Sequence, residues 1–150
     1  MMELYRITKT IYANDLNGTG GLYSSGRWHR EGTPILYLAE HISLAMLETL
    51  ANSEILSINM SLVTIEIPND ASIKRIQVED LPQDWRSIPY NEELANITEQ
   101  WINERIFWMM RVPSAHAPTE FDYLLNPLHP DHKSLKIARI ESLVFDRRFK

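Results

Sequence analysis

Residues 34–51 read Pro34-Ile35-Leu36-Tyr37-Leu38-Ala39-Glu40-His41-Ile42-Ser43-Leu44-Ala45-Met46-Leu47-Glu48-Thr49-Leu50-Ala51. The first six form a compact apolar run of strand length. From Glu40 the period changes. Ile42, Ala45, Met46, Thr49 and Leu50 recur at helical spacing, and Leu44 and Leu47 widen the apolar side. A buried strand feeding a helix over Glu40–Ala51 is predicted. On its N-terminal side lies an irregular loop system, residues 13–33. All 5 glycines of the chain fall inside it, at Gly18, Gly20, Gly21, Gly26 and Gly32. Glycine serves where the backbone takes positive φ or approaches another group closely, so the cluster marks one loop system rather than a regular element.

The remaining segments fill in around this unit. Leu4–Thr8 alternates and reads as a strand, as do Asn59–Ile67 (closed by Pro68), Ser72–Val78 and Ile106–Val112 (stopped by Pro113). Leu81–Pro89 is a connection. Glu92–Glu104 is helical, with Leu94, Ile97, Trp101 and Ile102 inward. Pro118–Pro130 reads as a proline-punctuated loop around Tyr123-Leu124-Leu125, and Ser134–Ile140 and Leu143–Phe149 as two closing strands. Strands outnumber helices and no βαβ repeat occurs, so the expected class is α+β with a mixed, largely antiparallel sheet in a single domain of residues 1–150.

Composition narrows the function. Hydrophobic residues make up 44% and charged residues 23% of the 150, with a formal net charge of −5. That acidity argues against a protein that tracks nucleic-acid phosphates. With 0 cysteines, disulfides, thiolate metal sites and thiol catalysis are excluded. No apolar run has the length of a membrane span and the first residues lack a signal-peptide core, so a cytoplasmic location is expected.

Several side chains carry possible chemistry. Arg27, presented by Gly26 and flanked by Trp28, offers a bidentate cation to an anion, against the alternative of a turn-stabilising surface arginine. Glu48 is a carboxylate on a largely apolar helix, which demands a partner; an ion pair with Arg27 would supply one, and a place on the helix rim would remove the need. Tyr37, within the apolar strand, is either core or a cleft wall. Ser114 lies two residues from His116, too close in sequence for a nucleophile–base pair and without an elbow motif, so a binding serine at a strand end is preferred. His129-Pro130-Asp131-His132 is a weak metal pattern; loop capping is the better reading, and no metal is expected. The phosphate-loop and dinucleotide glycine fingerprints are both absent.

In combination these residues follow a known order. Tyr5-Arg6-Ile7, Ser25-Gly26-Arg27-Trp28-His29, Gly32-Thr33-Pro34, Leu36-Tyr37-Leu38-Ala39-Glu40, Ala45-Met46-Leu47-Glu48, Val112-Pro113-Ser114-Ala115, Leu125-Asn126-Pro127 and Phe145-Asp146-Arg147-Arg148 resemble the RES domain over nearly the whole chain. One departure stands out: the family often has asparagine before the tyrosine where this chain has Asp122-Tyr123. The resemblance implies an ADP-ribosyltransferase-like fold. It also implies a bacterial toxin that consumes NAD, and an Xre-type helix-turn-helix antitoxin on a separate chain, in an oligomeric complex. Carried over by motif, Arg27, Tyr37 and Glu48 are the catalytic residues, with Arg6, Arg27, Tyr37, Ser114 and Asn126 binding substrate. The expected act is cleavage of the nicotinamide–ribose bond by water or phosphate. The alternative is ADP-ribosylation of a specific cellular protein.

Overall fold

The computed structural model describes residues 1–56 and 58–150. Its strands are β1 (Met2–Lys9), β2 (Leu36–Ala39), β3 (Met60–Ile67), β4 (Ile73–Arg75), β5 (Met109–Pro113), β6 (Phe121–Leu125) and β7 (Lys136–Leu143). The α-helices are α1 (Gly20–Tyr23), α2 (Ile42–Asn52) and α3 (Glu93–Glu104). The strands form one 7-stranded sheet in the order β4-β5-β6-β2-β1-β3-β7. Only the β4–β5 pair is parallel. The expected α+β class with a largely antiparallel sheet is what the chain adopts.

Side-chain alternation along the strands separates two cores. One face carries Leu4, Leu36, Leu38, Val63, Ile65, Ile67, Met109, Tyr123 and Leu125, closed over by Trp108 and Ala13. On the other, Met110, Val112 and Leu124 meet Leu94 and Trp101 of α3, together with Trp28, Ile35 and Trp85. Trp101 and Trp108 are each 1% exposed, and burying one large side chain stabilises by roughly 1.5–3 kcal/mol. Further along this second face, Leu44 and Ala45 of α2 pack with Tyr5 and Ile7 of β1. Helices α2 and α3 thus rest on the same face at different places.

Three expectations need correction. Residues 121–125 are not loop but β6, an interior strand between β5 and β2. Pro118 and Pro127 bracket it rather than interrupt it, which a proline must do beside a central strand. At the C-terminus there is one strand rather than two. Partner strand β3 begins at Met60, opposite Leu143, so the chain beyond has no ladder left to join. The β4 strand is shorter than expected, since Val78 already belongs to a 3-10 turn.

The joint between β1 and β2 positions the site. These strands meet at a single register pair, Tyr5 opposite Ala39, while β1 pairs with β3 along its full length. Beyond Tyr5 and Ala39 the two strands part. Arg6 and Ile7 on one side and Tyr37 on the other line a cleft in the middle of the sheet.

Candidate active site

Glu48 follows Leu44 and Ala45 at helical i+4 and i+3 spacing, so it shares their inward face where the underlying sheet gives way to the cleft. The outer face of α2 is more open than its composition implies: Ile42 and Leu47 remain exposed. The carboxylate is gripped at both oxygens. Ser114 Oγ donates to Oε1 at 2.9 Å, and His116 Nε2 lies 3.3 Å from Oε2. Ser114 is in turn fixed by accepting the backbone N–H groups of His116 and Ala117. It is fully buried and stands behind Glu48 instead of lining the cavity.

Arg27 enters the same cavity from the glycine loop. One terminal nitrogen donates to the carbonyls of Trp85 and Ser87, both at 3.1 Å. The guanidinium carbon sits 4.6 Å from the Tyr90 ring centroid, a cation–π distance. Burial lowers its pKa, with Tyr90 and Glu48 acting in the opposite direction; an arginine stays charged throughout. No Arg27–Glu48 ion pair forms among the described residues. Glu48 finds Ser114 and His116, and Arg27 finds carbonyls and a ring, so both charged ends remain available to the cavity.

Tyr37 projects from β2. Its hydroxyl is 2.6 Å from His29 Nδ1, and His29 Nε2 is 2.9 Å from the Ser24 carbonyl. A carbonyl only accepts, so Nε2 carries the proton, Nδ1 accepts, and the tyrosine donates. Burial pushes the phenol pKa up and keeps it protonated. Arg6 donates to the Asp15 carbonyl at 2.7 Å and the Tyr12 carbonyl at 3.3 Å; burial lowers its pKa, with Asp15 opposing. Asn126 is placed elsewhere. It lies just past the other end of β6, where its side chain accepts from the Leu128 N–H, and it does not line the cavity.

The cavity has a volume of about 560 Å³, and its wall includes Arg6, Arg27, Tyr37, Glu48, Tyr90 and Asp122. A second, of about 630 Å³, shares Arg6, Ile7, Ser24, His29 and Tyr37 with it and extends beneath the glycine loop to Asp15, Thr19 and Tyr23. Four wall residues were not singled out from sequence. In the sequence His29 and His116 stand only as neighbours of Arg27 and Ser114, and Asp122 only as a departure from a motif. Tyr90 carries no spacing signal, because it arrives from a proline-rich connection.

The histidines of the weak metal pattern are committed to the fold. His132 Nδ1 accepts from Trp108 Nε1 at 3.1 Å and Nε2 donates to the Leu16 carbonyl at 2.7 Å. His129 Nδ1 accepts the Asp131 N–H, capping its own turn. Among the described residues no group of three or more metal-ligating side chains forms. Burial lowers the pKa of both His29 and His132, with a backbone carbonyl opposing in each case. A histidine whose folded pKa is depressed stabilises the fold above its unfolded value of about 6.5, and that stability is lost as pH falls toward the folded value. A melting series should therefore show Tm falling from pH 6.5 toward pH 5, by about 3 °C for each kcal/mol lost in a chain of this size. A flat profile over that range would exclude this role for the two histidines.

Fold and site define an α+β protein with a carboxylate, a guanidinium and a phenol gathered over a split sheet. The chain belongs to the RES domain family, which matches residues 3–146. It is 38% identical over 154 residues to the Toxin Res of Yersinia enterocolitica, covering 99% of this chain and 100% of that protein. It is 35% identical over 144 residues to the Prs ADP-ribosylating toxin of a Sphingobium species, covering 93% and 89%. The solved Mycobacterium tuberculosis MbcT–MbcA toxin–antitoxin complex contains a chain of the same fold, with a TM-score of 0.66 at 16% identity, covering 95% of this chain and 84% of that one. No helix among the described residues is long and apolar enough to cross a membrane.

Proposed function

We propose that this chain is the toxin of a toxin–antitoxin pair and that it breaks the nicotinamide–ribose bond of NAD. The observation that carries this reading is the opposition, across one cavity, of a Glu48 carboxylate fixed by Ser114 and His116 and an Arg27 guanidinium stacked on Tyr90. In NAD the nicotinamide leaves with the bonding pair as a neutral molecule, so its departure needs little acid help. Positive charge builds on the ribose, as in glycoside cleavage, and a preorganised carboxylate stabilises that charge. Arg27 and Arg6 face the pyrophosphate, where a guanidinium matches two negative charges. Tyr37, locked by His29, offers a ring face to the nicotinamide or its ribose. Ser114 acts through Glu48, as a positioning residue. The two adjoining cavities suit a ligand with two nucleotide halves, with Arg6 and Tyr37 on the shared wall.

The acceptor completes the reaction. Water gives ADP-ribose, its oxygen bonding to the anomeric carbon as one of its protons leaves to solvent; phosphate gives a phosphorylated ribose, one of its anionic oxygens forming that bond with no proton to lose. A second reading, transfer to a side chain of a specific protein, draws on the name of the Sphingobium relative, an ADP-ribosylating toxin. The partner proposed is a separate antitoxin of the Xre helix-turn-helix type in a higher-order complex in the cytoplasm. The solved relative was itself captured as a toxin–antitoxin complex.

Incubating the purified chain with NAD, with and without phosphate and with and without cell lysate, tests both readings. Free ADP-ribose, a phosphorylated product or labelled protein would each identify an acceptor. Absence of nicotinamide release in every condition would overturn the enzymatic reading.

A further inference from the structure

Glu48 has a third neighbour besides Ser114 and His116. Asp122 lies on the same cavity wall, at the start of β6, where its backbone is fixed between Ala39 of β2 and Val112 of β5. Its β2 partner Ala39 packs against Ala45, one turn before Glu48 on α2, and its β5 partner Val112 lies two residues before Ser114, which binds Glu48; the two carboxyl groups are thus brought together on one wall, within hydrogen-bonding reach. Two carboxyl groups in hydrogen-bond contact cannot both be ionised; one must hold a proton. The surroundings decide which. Glu48 accepts a hydrogen bond from the Ser114 hydroxyl and has the His116 ring beside its other oxygen. Asp122 instead lies in the negative field of the Glu48, Glu40 and Glu120 carboxylates. The remaining titratable or charged groups on this cavity are Tyr5, Tyr37, Tyr90, His29, Arg27 and Arg6; His29 is held between the Tyr37 hydroxyl and the Ser24 carbonyl. Arg27 is already engaged by the Trp85 and Ser87 carbonyls, and Arg6 by those of Tyr12 and Asp15.

We infer that Asp122 is a positioning residue: as a neutral carboxylic acid it donates a hydrogen bond to Glu48 and, with Ser114, fixes that carboxylate toward the cavity. Burial, with the Glu48 hydrogen bond and the neighbouring carboxylates adding to it, pushes the Asp122 pKa up to about 10, in keeping with this protonation state at neutral pH. Asparagine at this position would then be chemically conservative. A protonated aspartic acid and an asparagine both present one donor and one acceptor to the same neighbour. The aspartic acid adds a limit, because raising the pH through its pKa replaces the hydrogen bond by repulsion between two carboxylates.

The inference rests on the proposed NAD chemistry for its catalytic consequence, but not for the protonation itself, and the test separates the two. Carboxyl 13C signals of aspartate-labelled protein, assigned by comparison with Asp122→Asn, report the charge on Asp122 directly. The expected result is a neutral Asp122 at pH 7 that ionises only in the alkaline range. In the NAD assay Asp122→Ala should lose about 10²-fold in kcat with little change in KM, the scale of a misplaced catalytic group. Asp122→Asn should recover most of that loss and remove the alkaline fall in rate. An ionised Asp122 at pH 7 overturns the inference, as does an Asp122→Asn variant no better than Asp122→Ala. If the wild-type chain releases no nicotinamide, the proposed function fails, and the carboxyl titration alone decides whether Asp122 donates to Glu48.

Discussion

Glu48→Gln should lower NAD turnover by about 10²–10³-fold, roughly 2.7–4 kcal/mol of transition-state stabilisation, while leaving the melting temperature nearly unchanged. The substitution keeps the shape of the side chain and an oxygen to accept the Ser114 hydroxyl. It removes the negative charge that would face a developing oxocarbenium ion. Because Glu48 is partly exposed to the cavity and its grip is local, little of the core depends on that charge, and stability and activity should separate. Glu48→Asp, which keeps the charge but withdraws it from Ser114 and His116 by one methylene, should lie between wild type and glutamine. Nicotinamide release measured beside circular-dichroism melts checks this. Turnover within about threefold of wild type for Glu48→Gln would remove electrostatic stabilisation from the mechanism, since losing a preorganised charge costs far more than that.

The elements around this residue show which sequence signals were dependable. Helix α3 was readable because Leu94, Ile97 and Trp101 repeat at helical spacing on a chain segment that is polar elsewhere, and those are the side chains that enter the core. For α2 the spacing gave the helix but not its inward face: Leu44, Ala45 and Glu48 turn toward the sheet and cleft, while Ile42, counted as inward, is exposed. An apolar helix over a half-open cleft has no composition that separates its faces. Strand β6 was hidden by its brackets, since prolines a few residues either side look alike whether they end a strand or shape a loop. Arg27, Tyr37 and Glu48 were picked out as odd residues in their segments, and the fold brings all three to one cavity. Ser114 stands out in sequence as a binding serine at a strand end, and Asn126 by motif alone. One supports Glu48 from behind and the other caps a turn, because a motif records position in the chain and not which way a side chain faces. Tyr90, Asp122 and His116 reach the site by long-range pairing, which local spacing does not encode.

Gly21→Ala should destabilise the chain by about 3 kcal/mol, lowering Tm by roughly 6–12 °C, whereas Gly20→Ala one residue earlier should be neutral or slightly stabilising. The contrast comes from what a methyl group would meet. At Gly21 an added Cβ would lie 2.1 Å from the Thr33 carbonyl oxygen and 3.2 Å from the Ile35 side chain; at Gly20 it would meet nothing within 4 Å. A backbone oxygen cannot rotate aside as a side chain does, so residues 33–35 must move. They lead directly into β2, and Gly18, whose φ is +67°, accepts the Ile35 N–H as part of the same contact. Displacing this lead-in displaces Tyr37 two residues later, along with the 2.6 Å hydrogen bond that ties it to His29. Gly21→Ala should therefore also raise KM for NAD: residue 21 is absent from the wall that holds Arg27 and Glu48 but lines the second cavity. Gly20→Ala gains helix propensity in α1 and limits the unfolded chain, without displacing the lead-in to β2. Equal melting temperatures for the two variants would show that the glycine turn is not packed on β2. A destabilised Gly21→Ala with unchanged KM would show that the turn supports the fold without setting the position of Tyr37.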